Sequence, residues 1–246
     1  MWRADFSLNF INLRIRRSTA LAQGLQDKYG ARDLKALIFD YDGLIVDSET
    51  PEYHSWKEIY HLAGVELTEQ VWTSAVGAVN AFDPRAFLEK TTGRTFDWEV
   101  IEKARRQKLS ERQVAQPVLA GVAGLMYRGV EAGYRIGVAS NSTAAWVELG
   151  LERLGLRHLI ESVRTVESVK WPKPHPEIYL RVLEDLNADV HETLAFEDSQ
   201  PGIRAAKAAG LTVIAVPNLL TRTHDLSLAD QILDNLDQFE LPEFAS

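Results

Sequence analysis

The chain has 246 residues, 27 basic and 35 acidic for a formal net charge of -8, with 46% hydrophobic and 25% charged residues. That usage excludes a disordered chain, and the acidic balance argues against a broad electrostatic surface for nucleic acid or anionic lipid. The absence of cysteine excludes disulfides, thiolate nucleophiles and cysteine-ligated zinc, and makes a cytoplasmic home the simpler reading. No apolar run approaches the roughly 20 residues of a membrane-spanning helix, and a monomer is the default expectation.

In chain order, residues 1–33 come first, with Arg3, Arg14, Arg16 and Arg17 against Asp5 as the one acid before residue 26. They read as an N-terminal extension, disordered or loosely packed, with an organelle transit peptide as the alternative. From Leu34 an apolar run ends at Asp40, as a buried parallel strand does. Similar runs recur at 134–139, 162–165, 193–196 and 211–216. Helical patterns lie between them at 122–133, 144–154, 176–186 and 201–209, with Gly133, Gly155 and Gly210 as stops. Strands alternating with helices imply an α/β fold, a Rossmann-like parallel sheet covered on both faces. The interval 50–116 breaks the alternation and reads as helices at 52–62, 69–76, 84–91 and 98–114. The expected organisation is a core of residues 34–49 and 117–246, with a small all-α cap of residues 50–116 inserted after the first strand.

Ligands of an open parallel sheet bind outside the carboxyl ends of its strands. There stand Asp40-Tyr41-Asp42-Gly43, Ser140-Asn141-Ser142-Thr143, Lys173 between Pro172 and Pro174, and Glu197-Asp198-Ser199. Asp40 and Asp42, two residues apart in extended chain, point to the same side and can address one substrate. Glu197 and Asp198 bring two more acids to the rim. Such crowding is relieved by a cation, and oxygen ligands without His or Cys suit a hard ion such as Mg2+. Ser140, Lys173 and the backbone amides around Asn141 are groups that hold a phosphoryl oxygen as charge develops.

These stretches, Phe39 through Glu49, Ala139-Ser140-Asn141-Ser142, Lys173-Pro174-His175-Pro176 and Glu197 through Gly202, follow one another as in the haloacid dehalogenase-like superfamily. The chain resembles the branch that includes beta-phosphoglucomutase and sugar-phosphate phosphatases. The resemblance implies that Asp40 attacks phosphorus to form an aspartyl-phosphate, and that Asp42 serves as general acid and then base. It implies that Mg2+ is held by Asp40, the backbone carbonyl of Asp42, Glu197 and Asp198, and that Ser140, Asn141 and Lys173 bind the phosphoryl group.

Within that family, the presence of Asp42 disfavours dehalogenation. The studied mutases carry a histidine in the first cap helix and an arginine just after the glycine that matches Gly77. Glu52 and Asn80 stand at those positions here, which removes the obvious clamp for a second phosphate. Hydrolysis of a small phosphorylated metabolite, a sugar phosphate or related monoester, is therefore expected over phosphomutase activity. A catalytically silent binding protein on the same fold is a third reading, disfavoured by the intact set Asp40, Asp42, Lys173 and Asp198.

Overall fold

The apolar run before Asp40 forms β1 (Ala36–Phe39), whose side chains are all fully buried. Successive residues face opposite sides of a strand, so Leu37 and Phe39 join one apolar cluster while Ala36 and Ile38 join another. A strand apolar on both faces belongs in the middle of a covered sheet, and β1 lies between β2 (Arg135–Ala139) and β4 (Thr193–Glu197). The computed structural model describes residues 34–73 and 83–241. The extension at 1–33, the end of the helix expected over 69–76, Gly77 and Asn80 lie outside the described residues.

With β3 (Ser162–Arg164), β5 (Thr212–Ala215) and β6 (Gln231–Ile232), the strands form one parallel sheet in the order β3-β2-β1-β4-β5-β6. β6 was not expected. It is two residues long and shows no periodicity; Asp230 before it accepts the Val213 N–H through Oδ2 at 2.9 Å, so tertiary contact sets this edge. Phe39 stands level with Val138 and with Phe196. The next residue of each strand, Asp40, Ala139 and Glu197, therefore reaches the same edge.

Helices α1 (Glu49–Leu62), α2 (Glu69–Thr73), α3 (Pro84–Thr92) and α4 (Trp98–Val114) follow β1 as an insertion whose described elements are helices. Local signals set their ends: the Asp83 carboxylate caps α3 by accepting the Arg85 and Ala86 N–H groups, Pro84 opens it, and Gly93 closes it at φ 66°. Later in the chain, α5 (Val122–Glu131) and α6 (Ala144–Arg153) cover the Leu37 and Phe39 face, and α7 (Glu177–Asp185) and α8 (Gln200–Ala208) the other. The two chain crossings into the insertion run side by side, with a bridge between Val46 and Val118. The Leu119 N–H donates to the Ile45 carbonyl at 2.9 Å, and Gln113 Nε2 to the Ser48 carbonyl at 3.0 Å.

The insertion has its own apolar cluster of Tyr53, Trp56, Tyr60, Leu67, Trp72 and Leu88. Leu220, from the loop after β5, is buried in it and ties it to the sheet. His224 Nε2 bonds the Thr73 carbonyl at 2.9 Å from the same loop. Leu220→Ala is expected to lower the unfolding free energy by about 2–4 kcal/mol, measured as a fall in the urea midpoint at constant slope.

Candidate active site

Asp40 leaves β1 with its N–H donating to the Phe196 carbonyl at 3.0 Å, which fixes the backbone beside β4. Asp40 is 6% exposed, and its carboxylate faces Lys173, itself 4% exposed. The ammonium donates to Asp40 Oδ1 at 2.5 Å, to Glu197 Oε1 at 2.6 Å and to the Ala139 carbonyl at 2.8 Å. A lysine ammonium has three donors, and these partners use all of them. Asn141 sets the lysine's approach. Its Oδ1 accepts the Lys173 N–H at 2.9 Å and its Nδ2 donates to the Lys173 carbonyl at 3.2 Å, so its side chain clasps the lysine backbone.

Glu197 is wholly buried at the end of β4 and also accepts the Tyr179 hydroxyl. Gly202, in the first turn of α8, leaves the room this carboxylate needs, since a Cβ there would stand 2.0 Å from Glu197 Oε2. Asp198 Oδ2 accepts Asn218 Nδ2 at 2.8 Å, and the same amide donates to the Gly43 carbonyl at 3.1 Å. Gly43 has φ 86°, and a Cβ on it would come within 2.3 Å of Asp198 Oδ2. Glycine is thus required there on two counts, the left-handed turn and the approach of the acid.

Asp40, Glu197 and Asp198 each bring one carboxylate oxygen to a point where all lie within 4.8 Å of one another. Buried acids at that spacing, with no His or Cys among them, suit a hard divalent cation. Among the hydrogen bonds of the described residues, Asp40 and Asp198 each engage a single oxygen. Glu197 instead accepts from Lys173 and Tyr179, and faces the Ser199 hydroxyl at 3.5 Å.

The electrostatics point the same way. Burial pushes Asp40 up to about 8 against the pull of Lys173, with Glu197 adding to the rise. Burial followed by the charges of Asp40 and Glu197 holds Asp198 well above the usual carboxylate range. Glu49, at the start of α1, is pushed to about 8 by burial and by Asp42. Burial works against the Lys173 charge, but Asp40 and Glu197 outweigh it and keep the ammonium above its ordinary range.

Asp42 lies in a different setting, half-buried and held by hydroxyls and an indole. Its Oδ1 accepts Ser48 Oγ at 2.5 Å and Trp146 Nε1 at 2.8 Å; its Oδ2 accepts Ser142 Oγ at 2.6 Å and Ser140 Oγ at 3.3 Å. Ser140 also accepts the Ser142 N–H at 3.0 Å. All the residues singled out from the sequence, Asp40, Asp42, Ser140, Asn141, Lys173, Glu197 and Asp198, meet at this edge. Sequence reasoning missed Tyr179, Trp146 and Asn218. Asn218 stands two residues past the last strand-end valine, Val216, so the strand-end rule applied to the fifth run would have found it. Tyr179 and Trp146 lie within helices and carry no such signal.

Known proteins match this chain along most of its length. The family model for haloacid dehalogenase-like hydrolases matches residues 37–216. YhcW of Bacillus subtilis (strain 168) is 36% identical over 208 residues, covering 85% of this chain and 94% of that protein. Hexitol phosphatase B of Escherichia coli (strain K12) is 28% identical over 188 residues, covering 76% of this chain and 85% of that protein. The crystal structure of CbbY from Rhodobacter sphaeroides in complex with phosphate superposes with a TM-score of 0.64 at 24% identity, covering 82% of this chain and 95% of that one. Sheet order, inserted helices, family match and shared sequence converge: the chain belongs to the haloacid dehalogenase-like hydrolases.

Proposed function

We propose that the protein is a magnesium-dependent phosphatase that hydrolyses a small phosphorylated metabolite, a sugar phosphate or related polyol monoester, through an aspartyl-phosphate on Asp40. The observation that carries this reading is the Lys173 ammonium held between Asp40 and Glu197 beside the Asp40, Glu197 and Asp198 carboxylates. A fixed cation together with a site for a second one can balance the charge of a phosphate ester entering among acids. The names of relatives support the substrate class, among them hexitol phosphatase B and fructose-1-phosphate phosphatase YqaB of Escherichia coli (strain K12).

Asp40, Asp198, Glu197 and the backbone carbonyl of Asp42 are the groups that would hold Mg2+. When bound, the ion would neutralise the acids and polarise the phosphoryl group. Asp40 forms the new O–P bond as the P–O bond to the alcohol breaks, and Asp42 gives the departing oxygen its proton. Water then attacks the aspartyl-phosphate, Asp42 takes its proton, and Asp40 and inorganic phosphate are released. Lys173, its donors engaged by Asp40, Glu197 and Ala139, sets its positive charge beside the phosphoryl group and the Ser140 hydroxyl holds a phosphoryl oxygen, while the Asn141 side chain serves by orienting Lys173. Residues 50–116 act as the cap over a core of 34–49 and 117–246, excluding water from the first step.

Water is favoured as the acceptor by the state of Glu52, which stands where the related mutases carry a histidine. Its Oε1 accepts Arg105 Nη1 at 2.7 Å and Trp56 Nε1 at 3.1 Å, inside a network that includes Glu102 and Ser55. That carboxylate is committed to its ion pair with Arg105 and to packing the insertion, and it offers no proton donor or cation in place of the histidine.

Phosphate release is expected from a panel of hexose and hexitol phosphates and from p-nitrophenyl phosphate, only when magnesium is present. Silence across the panel would contradict the reading, and bisphosphate-dependent isomerisation of a phosphosugar would favour a mutase. Asp40→Asn should reduce turnover by about 10⁴-fold or more, read by the same assay on folded protein.

Metal binding should also show in stability. Asp40 and Glu49 bind protons in the folded state up to about pH 8 and release them near pH 4 when unfolded, so metal-free stability falls as pH rises through that window. A cation competes with those protons and is favoured as they leave. Saturating magnesium chloride is therefore expected to raise Tm more at about pH 8 than at about pH 5. Equal or absent shifts at both pH values would count against this set of ligands.

A further inference from the structure

We propose that Trp146 is the positioning residue of Asp42, fixing the carboxylate in the orientation from which it protonates the leaving group. The inference rests on the reading of Asp42 as general acid. Among the groups that reach Asp42, Ser48, Ser140 and Ser142 offer hydroxyls, while Trp146 offers an indole N–H at 2.8 Å from Oδ1. A hydroxyl rotates and both donates and accepts, so it follows the carboxylate or turns to water. An indole N–H only donates, along a direction fixed by the ring. Of these partners, the indole is the one that dictates where Oδ1 sits.

The ring is itself held in place. Trp146 lies in the first turn of α6, where Thr143 caps the helix and its hydroxyl accepts the Trp146 N–H at 3.4 Å. Its ring meets that of Tyr41 edge to face, with centroids 6.3 Å apart and planes at 84°. Tyr41 in turn fits beneath α6 because position 150 is glycine: a Cβ there would lie 1.7 Å from the Tyr41 hydroxyl. Gly150, Tyr41, Trp146 and Asp42 thus form a continuous packed series from helix to carboxylate. Tyr41 is the residue between Asp40 and Asp42, so the same ring braces the backbone that carries both acids.

The origin of each donor adds to this. Ser48 belongs to the linker that enters the insertion, and its bond to Asp42 depends on where that linker lies. Ser142 belongs to the loop from β2 to α6, and Trp146 to α6, which covers the sheet. They hold Asp42 to the core whatever the insertion does.

The test compares kcat/KM for two classes of ester, since this ratio reports the steps up to transfer onto Asp40. An alkyl phosphate needs a proton on its leaving oxygen, whereas p-nitrophenyl phosphate departs as a stable phenolate with little need of an acid. Trp146→Phe, which keeps the ring against Tyr41 and removes the N–H, is expected to lower kcat/KM for the fastest phosphosugar of the panel by ~10-fold. Its effect on p-nitrophenyl phosphate should stay under about 2-fold. Trp146→His, which restores a ring donor, should recover most of the loss. Asp42→Asn, measured in parallel, should depress the same alkyl-to-aryl ratio further. An equal fall on both substrates would show a merely structural role for Trp146 and overturn the proposal. So would Trp146→Phe activity at the parental level while Asp42→Asn still depresses the ratio. An unchanged ratio in Asp42→Asn would instead remove the general-acid reading beneath it.

Discussion

The site turns on one ammonium group. Lys173 Nζ lies between Asp40 and Glu197, both within 2.6 Å, in a position closed to solvent. Charges taken out of water are costly unless paired and hydrogen-bonded. Removing the lysine would leave two buried carboxylates facing each other with Asp198 beside them. The rest of the edge follows from meeting that requirement: Asn141 orients the lysine backbone, the Ala139 carbonyl accepts the hydrogen bond of the third ammonium N–H, and Tyr179 donates to Glu197 from the face opposite α5 and α6. Even with the lysine in place, Asp40 and Asp198 remain raised. The pocket is left short of positive charge, and an incoming cation would supply it.

Two aspartates two residues apart in the chain are given unlike surroundings by this arrangement. Asp40 is buried against an ammonium, which suits a group proposed to form a bond to phosphorus. Asp42 is half-buried among hydroxyls and an indole, which suits a group proposed to move a proton and be left in place afterwards. The backbone between them makes the divergence possible. Tyr41 packs beneath α6 in space left by Gly150, and Gly43 turns the chain at a φ of 86° so that Asp198 can come alongside.

The helical insertion is joined to this edge at more than its two linkers. Asn218 holds Asp198 with its amide nitrogen, while its Oδ1 accepts the Leu220 and Thr221 N–H groups at 2.9 and 3.1 Å. Leu220 then enters the apolar cluster of the insertion. One side chain therefore connects an acid of the site to the packing of the helices above it. Glu49 extends the link from the other side, since the first residue of α1 already feels the charge of Asp42.

Strands β1, β2, β4 and β5 and the helices that cover the sheet were legible in sequence because an apolar run or a 3.6-residue period persists long enough to read, while β3, Ser-Val-Arg, carries only a weak run. The acids, the serine and the lysine were legible because strands of a parallel sheet deliver their next residues to a common edge. Other features were not legible. The two-residue β6 is set by its neighbour rather than by its own pattern. Trp146 and Tyr179 look like ordinary helix aromatics until folding brings them onto Asp42 and Glu197, residues 104 and 18 positions away. Asn141 was read for the backbone amides around it, and nothing in the sequence signalled that its side chain would clasp the lysine backbone. By itself, the sequence determined which residues reach the edge, since strand direction and register follow from local patterns. Only the tertiary structure decided which donor meets which acid, because a hydrogen bond depends on distance and angle between segments whose separation in the chain says nothing of either.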